Sequence, residues 1–371
     1  DSDTDMPPGR LRDLVGLAAH PLNLPRIDRA ARRIVGGHGI LQPRIVLPLP
    51  LPGLHPAGDT LFLALFAGQG GIDPYSAASS EVYQDLFGAG SFSGKGLLQV
   101  QAMRWTLADA LPEGQVLSHD LLEGALAHCA AVSDVTLVEA APDHADVAAA
   151  RLHRWTRGDW QLLPFIAQRA RWGLSAIDTW KMVDNLRRSL AAPMSLALLL
   201  WVLVTGVLPL AGTLALVALA FGAGPLLGAV AGLAPRRDDI ALRLFFGRGL
   251  SVLLRALAIA GWHVAQLLHS ALMQTDAIRR AVWRLAVSRR HLLQWTTAAS
   301  AQAAARHGLP ALLRLHRGVP AAAAVPGATG NCSSASSEPA GRARADRAPV
   351  DRLSPQVALR GGRRSRRRCR R

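Results

Sequence analysis

The chain has 371 residues, half of them hydrophobic, with a mean hydropathy of +0.19 and a formal net charge of +16. A positive mean hydropathy argues against a purely soluble protein, and the length allows one large domain plus a second element. The charge resembles a nucleic-acid signal only until it is located. From Gly341 to Arg371 twelve arginines face two aspartates, so this tail supplies +10 of the +16. The remainder is mildly basic, and no nucleic-acid partner is expected. Cys129, Cys332 and Cys369 are scattered without metal-site spacing, which excludes a disulfide framework and fits a reducing compartment.

The chain opens on Asp1-Ser2-Asp3-Thr4-Asp5 without a secretory signal, and an N-terminal portion is expected to precede it. Two carboxylates one residue apart at a strand end can chelate a hard divalent cation that also binds a diphosphate. The same triplet can also serve as a helix cap. Leu11 to Ala19 reads as a helix. Gly36 to Arg44 reads as a turn entering a strand through Ile45-Val46-Leu47, and the prolines at 48, 50, 52 and 56 give an extended connection. After the apolar run Leu61–Phe66, the stretch from Gly70 to Gly96 sets carboxylates, amides, Tyr75, Tyr83 and Lys95 between glycines. Such groups line sugar sites, and equally occupy solvated surface loops.

The rest is organised around Val116 to Gln161. Gln115 to Ser118 reads as a buried strand ending on His119-Asp120, followed by helical spacing from Leu121 to Ala131. A second strand-like run, Val135–Glu139, leads to Arg151-Leu152-His153-Arg154-Trp155. A carboxylate at a strand end followed by an Arg-Trp pair suits chemistry on a phosphorylated sugar. Asp120 would act as base, and Arg154 would hold the leaving diphosphate. Trp155 would stack on a sugar face or fill a core; Glu123 is also the acidic residue that a helix start favours.

Membrane signals follow. Gln161 to Leu190 mixes apolar and basic positions like an interfacial helix, expected over 166–190. Ser189 to Pro235 is 47 residues without one charged residue or histidine, enough for two spans, with the break at Pro209–Gly212. Arg187-Arg188 before and Arg236-Arg237 after it favour a hairpin (191–235) with both ends cytoplasmic. Leu250 to Met273 is a possible third span despite Arg255, His263 and His269 (247–274). Asp276 to Trp295 reads as a basic amphipathic helix on an anionic leaflet (275–300). From about 305 the Ala, Gly, Pro, Ser and Arg content predicts a disordered tail, either out of frame or lipid-binding.

Eight motifs in order resemble the glycosyltransferase domain of cyclic β-1,2-glucan synthases. They are Asp1-Ser2-Asp3-Thr4, Ala19-His20-Pro21-Leu22-Asn23, Gly39 to Arg44, Gly71 to Tyr75, Val82 to Gly88, Gly90 to Gly96, Leu117 to Gly124 and His153 to Gln161. The segment Arg289 to Ala298 also resembles the family's sequence after its membrane region. The resemblance spans roughly residues 1 to 300. It implies an α/β, GT-A-like (Rossmann-like) core, N-terminally incomplete, over 1–165, followed by helical membrane segments. It implies a bacterial-type inner-membrane enzyme, multi-pass with its catalytic part cytoplasmic, that passes glucose from UDP-glucose to a β-glucan acceptor with inversion. It implies that Asp1 and Asp3 hold Mg2+ or Mn2+ and that Asp120 is the base, where relatives carry an acidic pair and this chain has His119 before it. Arg154 and Trp155 match the Arg-Trp of a Q-x-x-R-W motif whose first position here is Arg151. Gln42, Arg44, Asp73, Tyr75, Lys95 and Asp159, all within matched motifs, are expected to bind donor or acceptor. Two alternatives stay open: a related synthase of another β linkage, cellulose-like, and a non-enzymatic basic membrane protein. Family members continue into further membrane and phosphorylase-like regions; the strands that should bind the uridine are expected before Asp1, so the chain alone is expected to be inactive.

Overall fold

A computed structural model describes residues 4–29, 33–46, 61–66, 78–107, 114–139, 142, 144–234 and 241–294, all within the unit Asp1–Ala321. Asp1, Asp3, Asp73 and Tyr75 lie outside the described residues, as do the proline-rich connection and the Arg-rich tail.

The sheet that positions the site has four strands: β1 (Thr4–Asp5), β4 (Ile40–Val46), β5 (Leu97–Leu98) and β6 (Cys129–Glu139), in the order β1-β6-β4-β5. β4 and β6 run parallel; β1 on β6 and β5 on β4 are antiparallel. β2 (Arg26–Asp28) and β3 (Arg33–Gly36) form a separate antiparallel pair. The β4–β6 register slips between Pro43 and Arg44, whose partners are Val132 and Thr136. Pro43 has no N–H to give the ladder, so an irregularity at that position is expected. β1 covers only the Val138–Glu139 end of the outer edge of β6, and at Ala131 that edge is met by a side chain. The amide of Gln84, on α3 (Ala78–Phe87), accepts from the Ala131 N–H at 2.6 Å and donates to its carbonyl at 3.1 Å, as a paired strand would.

Helices α1 (Arg10–Ala18), α4 (Val100–Leu107) and α5 (Asp120–Leu126) pack around the sheet. Ile40, Phe92, Ala102, Ala127 and Cys129 form one core cluster. Cys129 is wholly buried, and burial pushes its thiol up to about 12.

Several expected elements differ. Gln115–Ser118 forms no strand: the Leu117 N–H bonds to the Gln161 side chain instead of a neighbouring strand. The helix expected to reach Ala131 stops at Leu126, because His128 takes a positive φ of 51° and the chain enters β6 at Cys129. The apolar run Leu61–Phe66 is a short helix, α2. Arg151–Trp155 lies inside α6 (Ala145–Gln161), which is followed by α7 (Leu163–Ala167).

The expected interfacial helix and first span are largely one element. α8 (Ala176–Thr205) starts in a Ser175–Asp178 capping box, runs 30 residues through Pro193, and ends at the left-handed Gly206. α9 (Leu210–Ala231) follows Pro209. The third apolar stretch is displaced: α10 is Leu242–Ala265, and a break at Gln266 starts α11 (Leu267–Trp283). Asp276 to Gln294, the described part of the stretch expected as a basic amphipathic helix, is therefore not a separate helix. It comprises the end of α11, a π-turn at Arg284–Ser288 and left-handed Arg289 and His291. Among the described residues, α8, α9 and α10 are long and apolar enough to cross a membrane.

Candidate active site

Asp120 opens α5, with His119 as its N-cap. Three glycines allow this corner to be tight. A Cβ on Gly94, at φ +89°, would meet the Asp120 Oδ2 at 3.2 Å. One on Gly124 would meet the Phe92 Cβ at 2.8 Å, and one on Gly158 the Ser118 Cβ at 2.4 Å. The Asp120 carboxylate thus rests on a backbone without side chain, and the segment carrying it is pressed onto α6. His119 Nδ1 lies 3.0 Å from Glu123 Oε1. The hydrogen bond to Glu123 raises the His119 pKa against the opposing effect of burial, and the charges of Glu123 and Asp120 add to the rise.

Asp120 lines a cavity of about 270 Å3 with Lys95, Glu139, Arg151, Trp155, Asp159, Asn185, Arg188, Ser189 and Gln274 among its walls. On the sheet side, buried Glu139 is paired with Lys95 Nζ at 3.0 Å and with Arg151. Two cations and full burial make this a compensated ionic group rather than an isolated charge. Lys95 Nζ also donates to Thr4 Oγ1 at 2.7 Å, and Thr4 pairs with Glu139 across β1 and β6. The residue directly after Asp3 is thereby tied to the wall that Asp120 shares. Arg151 stands 5.0 Å from the centre of the Trp155 ring. On the opposite side, Asn185 of α8 donates to Asp159 Oδ1 at 3.0 Å, and Trp160 Nε1 donates to Ser189 Oγ at 2.9 Å.

The structure brings together four of the expected residues: Lys95, Asp120, Trp155 and Asp159. Arg154, half-buried on the same helix, is not among the described residues lining the cavity. Gln42 is buried; it accepts from the Ser93 N–H at 3.1 Å and so holds the Gly90–Gly96 loop to β4. Arg44 is exposed and paired with Glu81 at 2.6 Å. Glu139, Arg151, Asn185, Arg188 and Gln274 were not singled out from the sequence as site residues. Glu139, a lone charge ending an apolar run, and Arg151, at the first position of the Q-x-x-R-W motif, did leave a signal there.

Two contacts join this site to the chain after the apolar helices. Gln161, 2% exposed, accepts from Leu117 N–H at 2.7 Å and donates to the Leu292 carbonyl at 3.1 Å. Arg157 donates to the Gln294 carbonyl. Farther along α6, His153 faces Asp276 of α11 at 3.2 Å, where Arg279 and Arg280 also bind. Burial pushes the Asp276 carboxyl up, but the hydrogen bonds from His153, Arg280 and Arg279 outweigh it and hold the group below the carboxylate range.

A mixed α/β sheet domain packed on helices of membrane-crossing length, with an acid, an indole and amides around one cavity, defines the class: an α/β protein carrying helices long and apolar enough to cross a membrane. No protein-family model matches the chain. It is 41% identical over 311 residues, 83% of its length, to cyclic beta-(1,2)-glucan synthase NdvB of Rhizobium meliloti (strain 1021). The chain is related to that glucan synthase and spans 11% of its length.

Proposed function

We propose that the chain forms part of an inverting glucosyltransferase that moves glucose from UDP-glucose to a growing β-1,2-glucan. Its sheet domain, of GT-A type, faces the cytoplasm at the inner membrane, and α8 to α10 are its anchor in lipid. Relationship to a glucan synthase supports the reaction class. The observation that carries the site is Asp120, seated over Gly94 in a cavity shared with Trp155 and Asp159.

A sugar hydroxyl near neutral pH holds its proton too tightly to attack. Asp120 takes that proton as the oxygen bonds to the anomeric carbon, while the carbon–oxygen bond to the diphosphate breaks on the opposite face. Trp155 offers an apolar face to a sugar ring, and Arg154 is assigned to the leaving diphosphate. Mg2+ or Mn2+ held by Asp1 and Asp3 would supply positive charge for that diphosphate. The Thr4–Lys95 bond supports this position, since it brings the chain next to those aspartates to the cavity wall.

The test is Asp120→Asn in membranes containing the intact protein, with radiolabelled UDP-glucose and linkage-specific digestion of the product. Turnover should fall at least about a hundredfold, in line with loss of a general base. Undiminished turnover would refute Asp120 as the base, and no turnover by the wild type above membranes lacking the protein would leave the non-enzymatic membrane protein as the better reading. A product resistant to β-1,2-specific digestion would favour a synthase of another linkage.

A further inference from the structure

We propose that Gln274 recognises a hydroxyl of the accepting sugar, from the part of the cavity wall that α11 supplies. This rests on the glucosyltransferase reading above and assigns a binding residue to its acceptor side. Gln274 lies on α11, is 7% exposed and lines the cavity. Its Oε1 is buried and has no hydrogen-bond partner among the described residues. Buried amide oxygens are nearly always paired, and leaving one unpaired is costly. Such a group in a cavity wall is an acceptor waiting for a donor.

The surrounding groups narrow the choice of donor. The neighbouring polar side chains are engaged within the protein: Asn185 with Asp159 and Arg188, Ser189 with Trp160 and the Leu186 carbonyl. Lys95 and Arg151, paired with Glu139, and Arg188, paired with Asp184, are the cations of the wall, and their charge would draw an anionic diphosphate. A neutral amide oxygen in a cavity that Trp155 and Leu162 also line suits a neutral ligand with an apolar face and O–H donors, which describes a hexose. The cavity, about 270 Å3, is smaller than the roughly 300–1,000 Å3 of sites that enclose drug-sized ligands, and so matches a sugar-sized group.

The probe is a β-1,2-linked glucose disaccharide, titrated against the full chain in detergent and followed by tryptophan fluorescence. Gln274→Met keeps the side-chain length and removes the unpaired oxygen. It should melt no lower than the wild type yet bind the disaccharide about tenfold more weakly, the effect of one lost hydrogen bond. Unchanged affinity would overturn the inference and assign the oxygen to an internal water only. In turnover by the intact protein, the same substitution should raise KM for the acceptor and leave KM for UDP-glucose as it was. An equal rise in both would also refute it. Turnover by the wild type judges the underlying reaction separately: no glucan made from UDP-glucose by the intact wild-type protein sinks that reaction, whereas these binding data judge Gln274.

Discussion

Replacing Gln161 by Met should uncouple the segment before Asp120 from the segment after the apolar helices. The side chain is 2% exposed and bridges the Leu117 N–H at 2.7 Å and the Leu292 carbonyl at 3.1 Å. Met fills nearly the same volume, so the cavity term is small. What remains is two backbone groups without partners, each costing about 1–3 kcal/mol. Relief from burying the amide itself returns part of that, leaving a net loss of about 2–4 kcal/mol. At about 2–4 °C per kcal/mol for a domain of this size, the melting temperature should fall by about 5–15 °C. Hydrogen exchange should accelerate at the Leu117 amide and in residues 289–294. A melting temperature within about 2 °C of the wild type, with Leu117 protection unchanged, would refute the bridging role.

Gly158→Ala should gain about 1 kcal/mol of helix propensity but lose about 1–3 kcal/mol to overpacking, since the new Cβ would meet the Ser118 Cβ at 2.4 Å. Because Ser118 lies two residues before Asp120, turnover should fall more than thermal stability does, a difference that parallel melting and activity assays would read. Asp276→Asn should loosen α6 from α11 and lower stability by about 1–2 kcal/mol near pH 7, discounted for partial exposure. The Asp276 pKa is depressed in the fold, so its stabilisation is complete above the ordinary value near 3.8 and is lost as pH falls below it toward the folded value. Melting curves of variant and wild type should therefore converge below about pH 4 and separate above it.

Much of the local structure was legible in the chain. The run of 47 uncharged residues specified two membrane-length helices, since length and apolarity are enough for that. That Asp120 and Trp155 line one cavity agrees with the motif order, whereas Arg154 is not among the described residues lining it. The lapses share one physical cause. Gln115–Ser118 has strand-like apolarity but no strand beside it, and a buried glutamine supplies its hydrogen bond instead. The periodicity from Asp276 onward looked like a free amphipathic helix, while in the fold it finishes α11 and turns back through left-handed residues onto α6.

The sequence by itself determined the apolar spans, the carboxylate at 120 and the indole at 155, because these depend on residue type and short spacing. Only the tertiary structure decided that Glu139, Arg151, Asn185 and Gln274 share a cavity with Asp120. Those residues come from a strand and three helices, and packing distant segments against one another leaves no periodic trace along the chain.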